Sequence, residues 1–288
     1  MFSDSLHELR LLRAKARYAA GNEFLLQHAT EDMIERLSAV TMQFDQTLLL
    51  FGRSREVAGP LQECPQINQI LRVEEAIHLD QADHIASPDA LELAEQSADL
   101  IIAPLTLHWS NDLPGTLIQL RRCLRPNGLM LASLPGPDTL HELRQSLLQA
   151  ESELRGGAGN RVDPFTDIRD AGSLLQRAGF AIPVADQEVL TVRYDTVFDL
   201  IGDLRNFGAT LQLENNKNPP LTRQIVARMA EIYAEKFSDP DGRIRATFSL
   251  ISMSGWSPHE SQQKPLRPGS AKTRLADALN VDEVKLKE

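Results

Sequence analysis

The sequence predicts an α/β fold whose centre is an open, mostly parallel sheet. Between residues 47 and 134, short apolar runs alternate with amphipathic segments, as they do in strand–helix–strand units. The runs TLLLF (47–51) and ADLIIA (98–103) each hold four consecutive apolar residues, LLLF and LIIA, which is typical of parallel strands buried on both faces. The helical segments between the strands would connect them through right-handed crossovers.

The first elements follow from local patterns. Residues 5–40 predict two helices, because their leucines recur near helical spacing and Gly21-Asn22 interrupts the pattern. The patterns then predict strands at 47–51, 67–73, 98–103 and 128–134, and helices at 57–62 and 112–124. Asp112 is expected to cap the helix at 112–124, since Pro114 stands in the first turn, where its missing N–H costs nothing.

The second half of the chain is predicted to continue with further helices and strands. Helices are expected at 138–154, 167–178, 196–206 and 221–237, and strands at 181–185, 188–194 and 243–253. We expect four parts: an N-terminal helical cap (1–45), a core (46–155), a C-terminal part with inserted helices (156–256) and a partly loose tail (257–288).

Composition excludes several classes of protein. The 288 residues include 30 basic and 40 acidic side chains, so the formal charge is −10, and 42% of the residues are hydrophobic. A disordered chain has fewer apolar residues. A nucleic-acid-binding protein usually has a basic stripe, so nucleic acid is not an expected partner.

The cysteines and the apolar runs predict a soluble, cytoplasmic protein. Cys64 and Cys123 match no metal-ligand spacing and form no disulfide framework, which favours a reducing compartment. The N-terminal segment lacks the apolar core of a signal peptide. The longest apolar runs, such as LIIAPL at 100–105, are far too short to cross a bilayer, so a transmembrane protein is not expected.

A family resemblance rests on residues 100–144. They read as a strand, a loop with His108-Trp109, a helix, the turn Leu-Arg-Pro-Asn-Gly at 124–128 and another strand. This order resembles the class I S-adenosylmethionine (SAM) methyltransferases. Within them, LHWSNDLP (107–114) and GPDTLHELR (136–144) resemble one branch, which holds the biotin-synthesis malonyl-carrier-protein methyltransferases and, closer, the respiratory complex I assembly factors.

The resemblance implies both a fold and an activity. The fold is a Rossmann-like, seven-stranded methyltransferase sheet with N-terminal helices and a C-terminal α/β extension. SAM would lie at the carboxyl ends of the first strands. Assembly-factor relatives hydroxylate an arginine of a complex I subunit, and the biotin relatives methylate a carboxyl group. The implied partner is a protein substrate or a respiratory-chain subunit.

The loop after the first predicted strand departs from the family. The family has an acidic residue and a Gly-x-Gly-x-Gly loop, since glycines allow close approach and positive φ. Here Gly52, Arg53, Ser54 and Arg55 occupy the loop, and leucines precede it. Gly52 and Arg53 are the candidate cofactor positions. Arg53 or Arg55 would either fill the pocket of a degraded site, which we favour, or bind an anion.

Other candidate cofactor residues come from the same resemblance. Glu74, or the adjacent Glu75, would hold the ribose, and Asp89-Ala90 would contact the adenine. Leu105 completes the cofactor set. The glutamates read equally well as a solvated charge pair, and Asp89 as a helix cap.

Catalytic and substrate candidates surround these positions. His108 would act as a base or a donor, or would bond to local backbone; Trp109 would line the pocket, although packing is favoured. His259 is a second catalytic candidate. The substrate side would include Asp138, His141 and Trp256, although a helix cap at Asp138 and an exposed polar face at His141 are the commoner outcome for such residues. No spacing supports a zinc or iron site.

Two functions from different classes remain open. In the first, the chain is a SAM-dependent methyltransferase-fold protein acting on a protein or carrier-linked substrate, in complex I assembly. In the second, it is a non-catalytic binding or assembly protein that no longer binds SAM. Whether it is an enzyme is undecided, and a carboxyl methyltransferase of the biotin pathway is disfavoured by the altered glycine loop.

Overall fold

Seven strands form one sheet in the computed structural model, which describes residues 2–17, 23–75, 82–213 and 218–263. The strands are β1 (Thr47–Leu50), β2 (Ile70–Glu74), β3 (His84–Ile85), β4 (Ala98–Ala103), β5 (Leu124–Pro135), β6 (Ala181–Tyr194) and β7 (Ile244–Trp256). Their order across the sheet is β3-β2-β1-β4-β5-β7-β6. Neighbours from β3 to β5 run parallel, and β7 runs antiparallel to both β5 and β6. This confirms the predicted Rossmann-like methyltransferase sheet.

Eight helices accompany the strands in the described part of the chain. They are α1 (Asp4–Arg17), α2 (Phe24–Ser38), α3 (Arg55–Gln62), α4 (Leu113–Cys123), α5 (His141–Arg155), α6 (Ile168–Ala178), α7 (Val197–Asn206) and α8 (Arg223–Phe237). A 3₁₀ turn covers Leu107–Trp109. The predicted break at Gly21-Asn22 lies outside the described residues.

The centre of the sheet is buried on both faces because β1 and β4 carry no polar face. Leu48 and Leu50 of β1 pack with α4 and α6, whereas Leu49 packs with α2 and α3 on the other side. Alternate residues of a strand point to opposite faces, so a continuous leucine run supplies both layers. A third apolar cluster joins α5, α7 and α8 to β7.

Several elements differ in extent from the predictions. β6 is one continuous strand rather than two, and the short strand β3 was not predicted. α5 begins at His141 rather than at residue 138, because Leu140 has a φ of 56°, which a helix cannot include. Asp112 caps α4 as predicted: its carboxylate accepts the Gly115 N–H at 3.0 Å.

The chain divides into two units, Met1–Pro258 and His259–Glu288. All the helices and strands above belong to the first. In the second unit, the described residues 259–263 form a turn in which the Gln262 N–H donates to the His259 carbonyl. The rest of the predicted tail, 264–288, lies outside the described residues. Within the described parts, no helix is both long and apolar enough to cross a membrane.

Candidate functional site

The candidate site lies where the parallel strands end. Ligands of open α/β sheets bind at the carboxyl ends of the strands, near the point where the strand order reverses. Here β1 and β4 are neighbours at the centre of the sheet, with β2 and β5 outside them. The segments at this edge are the loop 51–54 after β1, Glu74 at the end of β2, and residues 104–109 after β4.

The loop after β1 holds large side chains in backbone conformations that usually favour glycine. Phe51 has a φ of 52° and Arg53 a φ of 61°. Both are buried, with exposed fractions of 1% and 8%. A non-glycine residue in this region costs about 1–3 kcal/mol and persists only where its surroundings hold it. Large side chains therefore occupy the turn, where the family resemblance implies glycines. The side chain of Arg55 lies outside the described part of the structure.

Packing explains why Gly52 is a glycine. A Cβ atom added to it would lie 2.8 Å from Cδ2 of Leu49, a fully buried residue of β1. A contact that short requires the leucine to move within a filled core. Gly52 is thus needed for the fold whether or not a ligand approaches the loop.

Arg53 is held by contacts in three directions. Its backbone N–H donates to both carboxylate oxygens of Glu74, each at 3.1 Å. Its Nη1 donates to the Phe207 carbonyl at 3.2 Å, and its Cζ lies 4.4 Å from the centre of the Trp109 ring, a cation–π contact. Burial lowers the pKa of Arg53, an effect opposed by the charges of Glu75, Glu23 and Glu74.

Glu74, the candidate for the ribose, is fully buried and committed to protein donors. Besides the Arg53 N–H, it accepts a hydrogen bond from Arg72 Nη2 at 2.7 Å. Burial raises the pKa of Glu74, and the Arg72 hydrogen bond opposes that effect. The adjacent Glu75 accepts a hydrogen bond from, or pairs with, His7 of α1 at 2.6 Å. Glu74 and Glu75 therefore do not form the solvated charge pair that the sequence also allowed.

Asp89 organises a loop. Its carboxylate accepts from the Ser110 hydroxyl at 2.6 Å, from the Asn111 N–H at 2.7 Å and from the Asp112 N–H at 3.3 Å. Although partial burial raises its pKa, these hydrogen bonds more than compensate, and the net pKa is lowered. The neighbouring Ala90 donates its N–H to Ser87. Asp89 thereby tethers the segment that leads into α4, rather than capping a helix of its own.

Two of the residues that the family resemblance assigns to SAM, Glu74 and Arg53, do not fit that ligand in this structure. A ribose needs a carboxylate with free oxygens, but both oxygens of Glu74 accept from protein donors. The methionyl part needs open space above the first loop, and the Arg53 side chain lies there against Trp109.

His108 and Trp109 lie together at this edge. Their ring centres are 4.2 Å apart, and His7 packs on Trp109 from the other direction at 4.8 Å. Burial and then the charge of Arg53 lower the pKa of His108 to about 3, so its imidazole is neutral near pH 7. Its Nδ1 is buried and has no hydrogen-bond partner among the described residues. A neutral imidazole of this kind is a weak base and a good hydrogen-bonding group.

Three other predicted residues of the first unit are not brought to this cluster, and a fourth, His259, belongs to the second unit. The Asp138 carbonyl faces the N–H and Nδ1 of His141 at the start of α5, where both belong to a turn. Trp256 pairs with Leu129 in the sheet, at the opposite end of β5 from Pro135. His259 belongs to the second unit, where its Nδ1 lies 2.8 Å from the Ser261 hydroxyl oxygen.

A cavity of about 470 Å³ opens beside the cluster. Arg53, Leu105, His108 and Trp109 line one side of it. Most of its remaining wall is apolar and comes from α2, α5, α7, α8 and β7 together with the segments 161–165 and 207–211. The volume falls within the range of small-molecule sites in proteins. Leu105 has a φ of 49° and donates its N–H to the Ser133 hydroxyl, which fixes the wall after β4.

Apart from Arg53, the charged residues of the cavity wall were not predicted from the sequence. They are Arg10, Arg161, Asp163 and Arg205, which come from distant parts of the chain and carry no shared motif. In the described ranges, no group of three or more His, Cys, Asp or Glu side chains is arranged to hold a metal.

The sequence also matches known proteins. Residues 32–183 match the model of a methyltransferase domain family. The chain is 45% identical over 186 residues to the mitochondrial arginine-hydroxylase NDUFAF5 of Dictyostelium discoideum, covering 64% of this chain and 42% of that protein. It is 30% identical to the malonyl-[acyl-carrier protein] O-methyltransferase of Xylella fastidiosa, covering 88% of both chains.

The extents of these matches differ. The chain spans less than two thirds of the length of the first arginine-hydroxylase relatives, 42% for Dictyostelium discoideum and 58% for the human protein. Among solved structures, the YcgJ protein of Bacillus subtilis aligns with a TM-score of 0.53 at 12% identity, covering 81% of this chain and 99% of that one. That likeness concerns the fold. From the family match and the relatives, the chain belongs to the class I SAM-dependent methyltransferase superfamily, related to NDUFAF5 and to the malonyl-carrier-protein methyltransferases.

Proposed function

We propose that this chain is a non-catalytic, methyltransferase-fold assembly protein that binds a protein partner of respiratory complex I and does not bind SAM. The observation that carries the proposal is the double hydrogen bond from the Arg53 N–H to Glu74. It joins the first loop directly to the carboxylate that would hold a ribose. The Arg53 guanidinium, stacked on Trp109, occupies the adjoining space.

The complex I partner is supported by sequence similarity. At 45% identity, the Dictyostelium discoideum arginine-hydroxylase NDUFAF5 shares far more with this chain than fold alone requires. Resemblance to the complex I assembly factors makes a respiratory-chain subunit the best-supported partner. We infer a cytoplasmic location from the two cysteines, which are both buried and unpaired, as expected in a reducing compartment.

A second candidate function is catalytic. His108 supports it, because its neutral imidazole lines the cavity with Nδ1 free to bond to a substrate. The match to the Xylella fastidiosa malonyl-[acyl-carrier protein] O-methyltransferase over 88% of both chains points to a carrier-linked acid as the substrate. This candidate requires the loop around Arg53 to rearrange before SAM could bind.

Calorimetry separates the two candidates. The purified chain is titrated with SAM and, separately, with S-adenosylhomocysteine. The proposal expects no heat of binding at millimolar ligand. Micromolar affinity for either compound would overturn it and would favour the catalytic candidate. A matched Arg53→Gly variant, folded by circular dichroism, shows whether the arginine side chain is what prevents binding.

A genetic test addresses the partner. Deletion of the gene in its own organism is expected to lower the level of assembled complex I. Complementation with His108→Ala should restore that level as well as the wild type does, because a binding protein does not need a catalytic imidazole. A His108→Ala protein that is folded and abundant yet restores nothing would contradict the non-catalytic proposal.

A further inference from the structure

Three arginines from separate elements of the fold line the cavity. Arg53 donates to the Phe207 carbonyl. The next residue, Gly208, packs against the backbone of Arg10: a Cβ added to it would lie 3.6 Å from the Arg10 carbonyl oxygen. Arg205 lies two positions before Phe207, near the end of α7. The turn 205–208 therefore contacts Arg53 through its guanidinium and Arg10 through its backbone, and the charge of Arg205 acts on Arg10.

This positive charge lacks part of its hydrogen bonding. Nε of Arg53 and Nε of Arg10 are buried and have no hydrogen-bond partner among the described residues. Burial lowers the pKa of Arg10, and the charges of Arg13 and Arg205 lower it further. Like charges held together with buried, unpaired donors cost free energy unless an anion joins them. The buried Nδ1 of His108 adds another unpaired polar atom to the same wall.

Of the three carboxylates whose charges act on Arg53, Glu23 is buried with its Oε2 unpartnered among the described residues, and burial raises its pKa. The other two are engaged elsewhere. Glu74 bonds to Arg72 as well as to the Arg53 backbone, and Glu75 contacts His7. Asp163 is the acidic group on the cavity wall itself, and it accepts the N–H of Gln212. Burial raises the pKa of Asp163 to about 6. The charged form of this carboxyl group is thus disfavoured by burial, and the shift is not the stabilising one that a nearby arginine would cause.

The rest of the cavity suits an apolar chain. Its wall includes Leu143 and Leu147 of α5, Met229 of α8 and Phe248 of β7, all buried. Phe198 of α7 also lines the cavity and is 55% exposed, which is unusual for an aromatic side chain and places apolar surface at an opening. An apolar tail could enter there and replace water along the wall.

We propose that the cavity binds an amphipathic carboxylate, an aliphatic chain whose anionic head lies against Arg53 and Arg10 and whose tail lies among the leucines of α5. Arginine suits this head because its planar guanidinium can donate two parallel hydrogen bonds to a carboxylate. The proposal does not depend on whether the chain is catalytic, and it concerns a different ligand from SAM.

The test is calorimetry on the full chain with three probes. Dodecanoate is expected to bind saturably at one site. Dodecanol, which has the same tail and no charge, and butyrate, which has the charge and a short tail, should each bind about tenfold more weakly or worse, as loss of a charge-assisted hydrogen bond or of buried apolar area requires. Equal binding of dodecanol and dodecanoate, or no saturable binding of dodecanoate, would overturn the proposal.

Variants locate the site. Arg53→Met and Arg10→Met should each weaken dodecanoate binding by about tenfold or more. Ile201→Trp, which places a larger side chain on the half-buried wall, should also weaken it. The matched control is Arg125→Met at the opposite end of β5, an arginine paired with Asp99, which should bind as the wild type does. Circular dichroism checks the fold of each variant.

Each variant either supports or contradicts the assigned binding site. If Arg53→Met does not fold, Arg10→Met and Ile201→Trp decide the matter. Equal loss of affinity in Arg125→Met would show non-specific charge attraction and would contradict the assignment. Unchanged affinity in folded Arg10→Met and Ile201→Trp would place the ligand elsewhere. A negative result with dodecanoate leaves the SAM titration unaffected, so this inference and the proposed function fail separately.

Discussion

The backbone N–H of Arg53 lies 3.1 Å from each carboxylate oxygen of Glu74. This contact connects the loop after β1 to the end of β2, across the position where the family resemblance places a ribose. Glu74 has an exposed fraction of 0% and also accepts from Arg72. The carboxylate therefore links two segments of the fold through hydrogen bonds, and its removal should lower the free energy of unfolding.

Glu74→Ala should lower the free energy of unfolding by about 2–4 kcal/mol. The substitution leaves the Arg53 N–H and the Arg72 guanidinium buried without their acceptor, and it leaves a small void. Urea denaturation followed by circular dichroism measures the change. Glu95→Ala, at an exposed position, is the control and should be close to neutral. An unchanged midpoint for Glu74→Ala would mean that this carboxylate is free to serve a ligand.

Gly52→Ala should destabilise the chain by about 1–3 kcal/mol. The added Cβ would meet Leu49 Cδ2 at 2.8 Å inside a filled core. The matched variant is Gly202→Ala in α7, where a Cβ meets nothing within 4 Å. That change should stabilise the chain by about 0.5–1 kcal/mol, since alanine favours helix over glycine. Thermal melting compares the two, and a neutral Gly52→Ala would show that the leucine can move aside.

The sheet could be predicted from sequence because burial on both faces leaves a direct signal. The LLLF run that begins in β1 and the LIIA run of β4 are uninterrupted apolar segments, which is typical of strands buried on both faces. β3, at the edge of the sheet, consists of the exposed pair His84–Ile85 and has no such pattern. β6 is the other edge strand, and Pro183 with Asp186 split its signal, although an edge strand tolerates both.

The site was less predictable than the fold. The resemblance pointed to Arg53, His108 and Trp109, and the structure brings these three side chains together. Arg10 and Asp163 reach the same cavity from α1 and from the segment before α6, with no fixed spacing to reveal them. Contacts between residues that distant in the chain arise only from tertiary packing.

The neutral state of His108 predicts a dependence of stability on pH. Its pKa falls from 6.5 to about 3 on folding, because burial and Arg53 disfavour the charged ring. The unfolded chain therefore binds the proton first, and His108 costs stability as the pH falls below 6.5. Relative to His108→Gln, the wild type should lose up to about 2 kcal/mol of stability between pH 7 and pH 5.

The measurement is the difference between wild type and His108→Gln in urea denaturation at both pH values. Taking the difference cancels the contribution of groups that titrate in both proteins, such as Asp163. His28→Gln, at a half-exposed histidine, is the control. Parallel loss of stability in wild type and His108→Gln on acidification would show that the imidazole is protonated in the folded state, and that it is available as a base.

Asp163→Asn should stabilise the chain above pH 6. Folding raises the pKa of Asp163 from 3.8 to about 6 through burial, so the charged form is disfavoured in the folded state at neutral pH. The cost is present above pH 6 and is relieved as the pH falls towards 3.8, where both states become protonated. Asparagine keeps an acceptor for the Gln212 N–H and removes the charge. We expect a gain of about 1–3 kcal/mol in the free energy of unfolding at pH 8 that vanishes below pH 4.

Urea denaturation at the two pH values measures this gain, with Asp195→Asn at an exposed position as the control. A gain that is the same at both pH values would assign the effect to packing, and no gain at pH 8 would show that water reaches this carboxylate through the cavity.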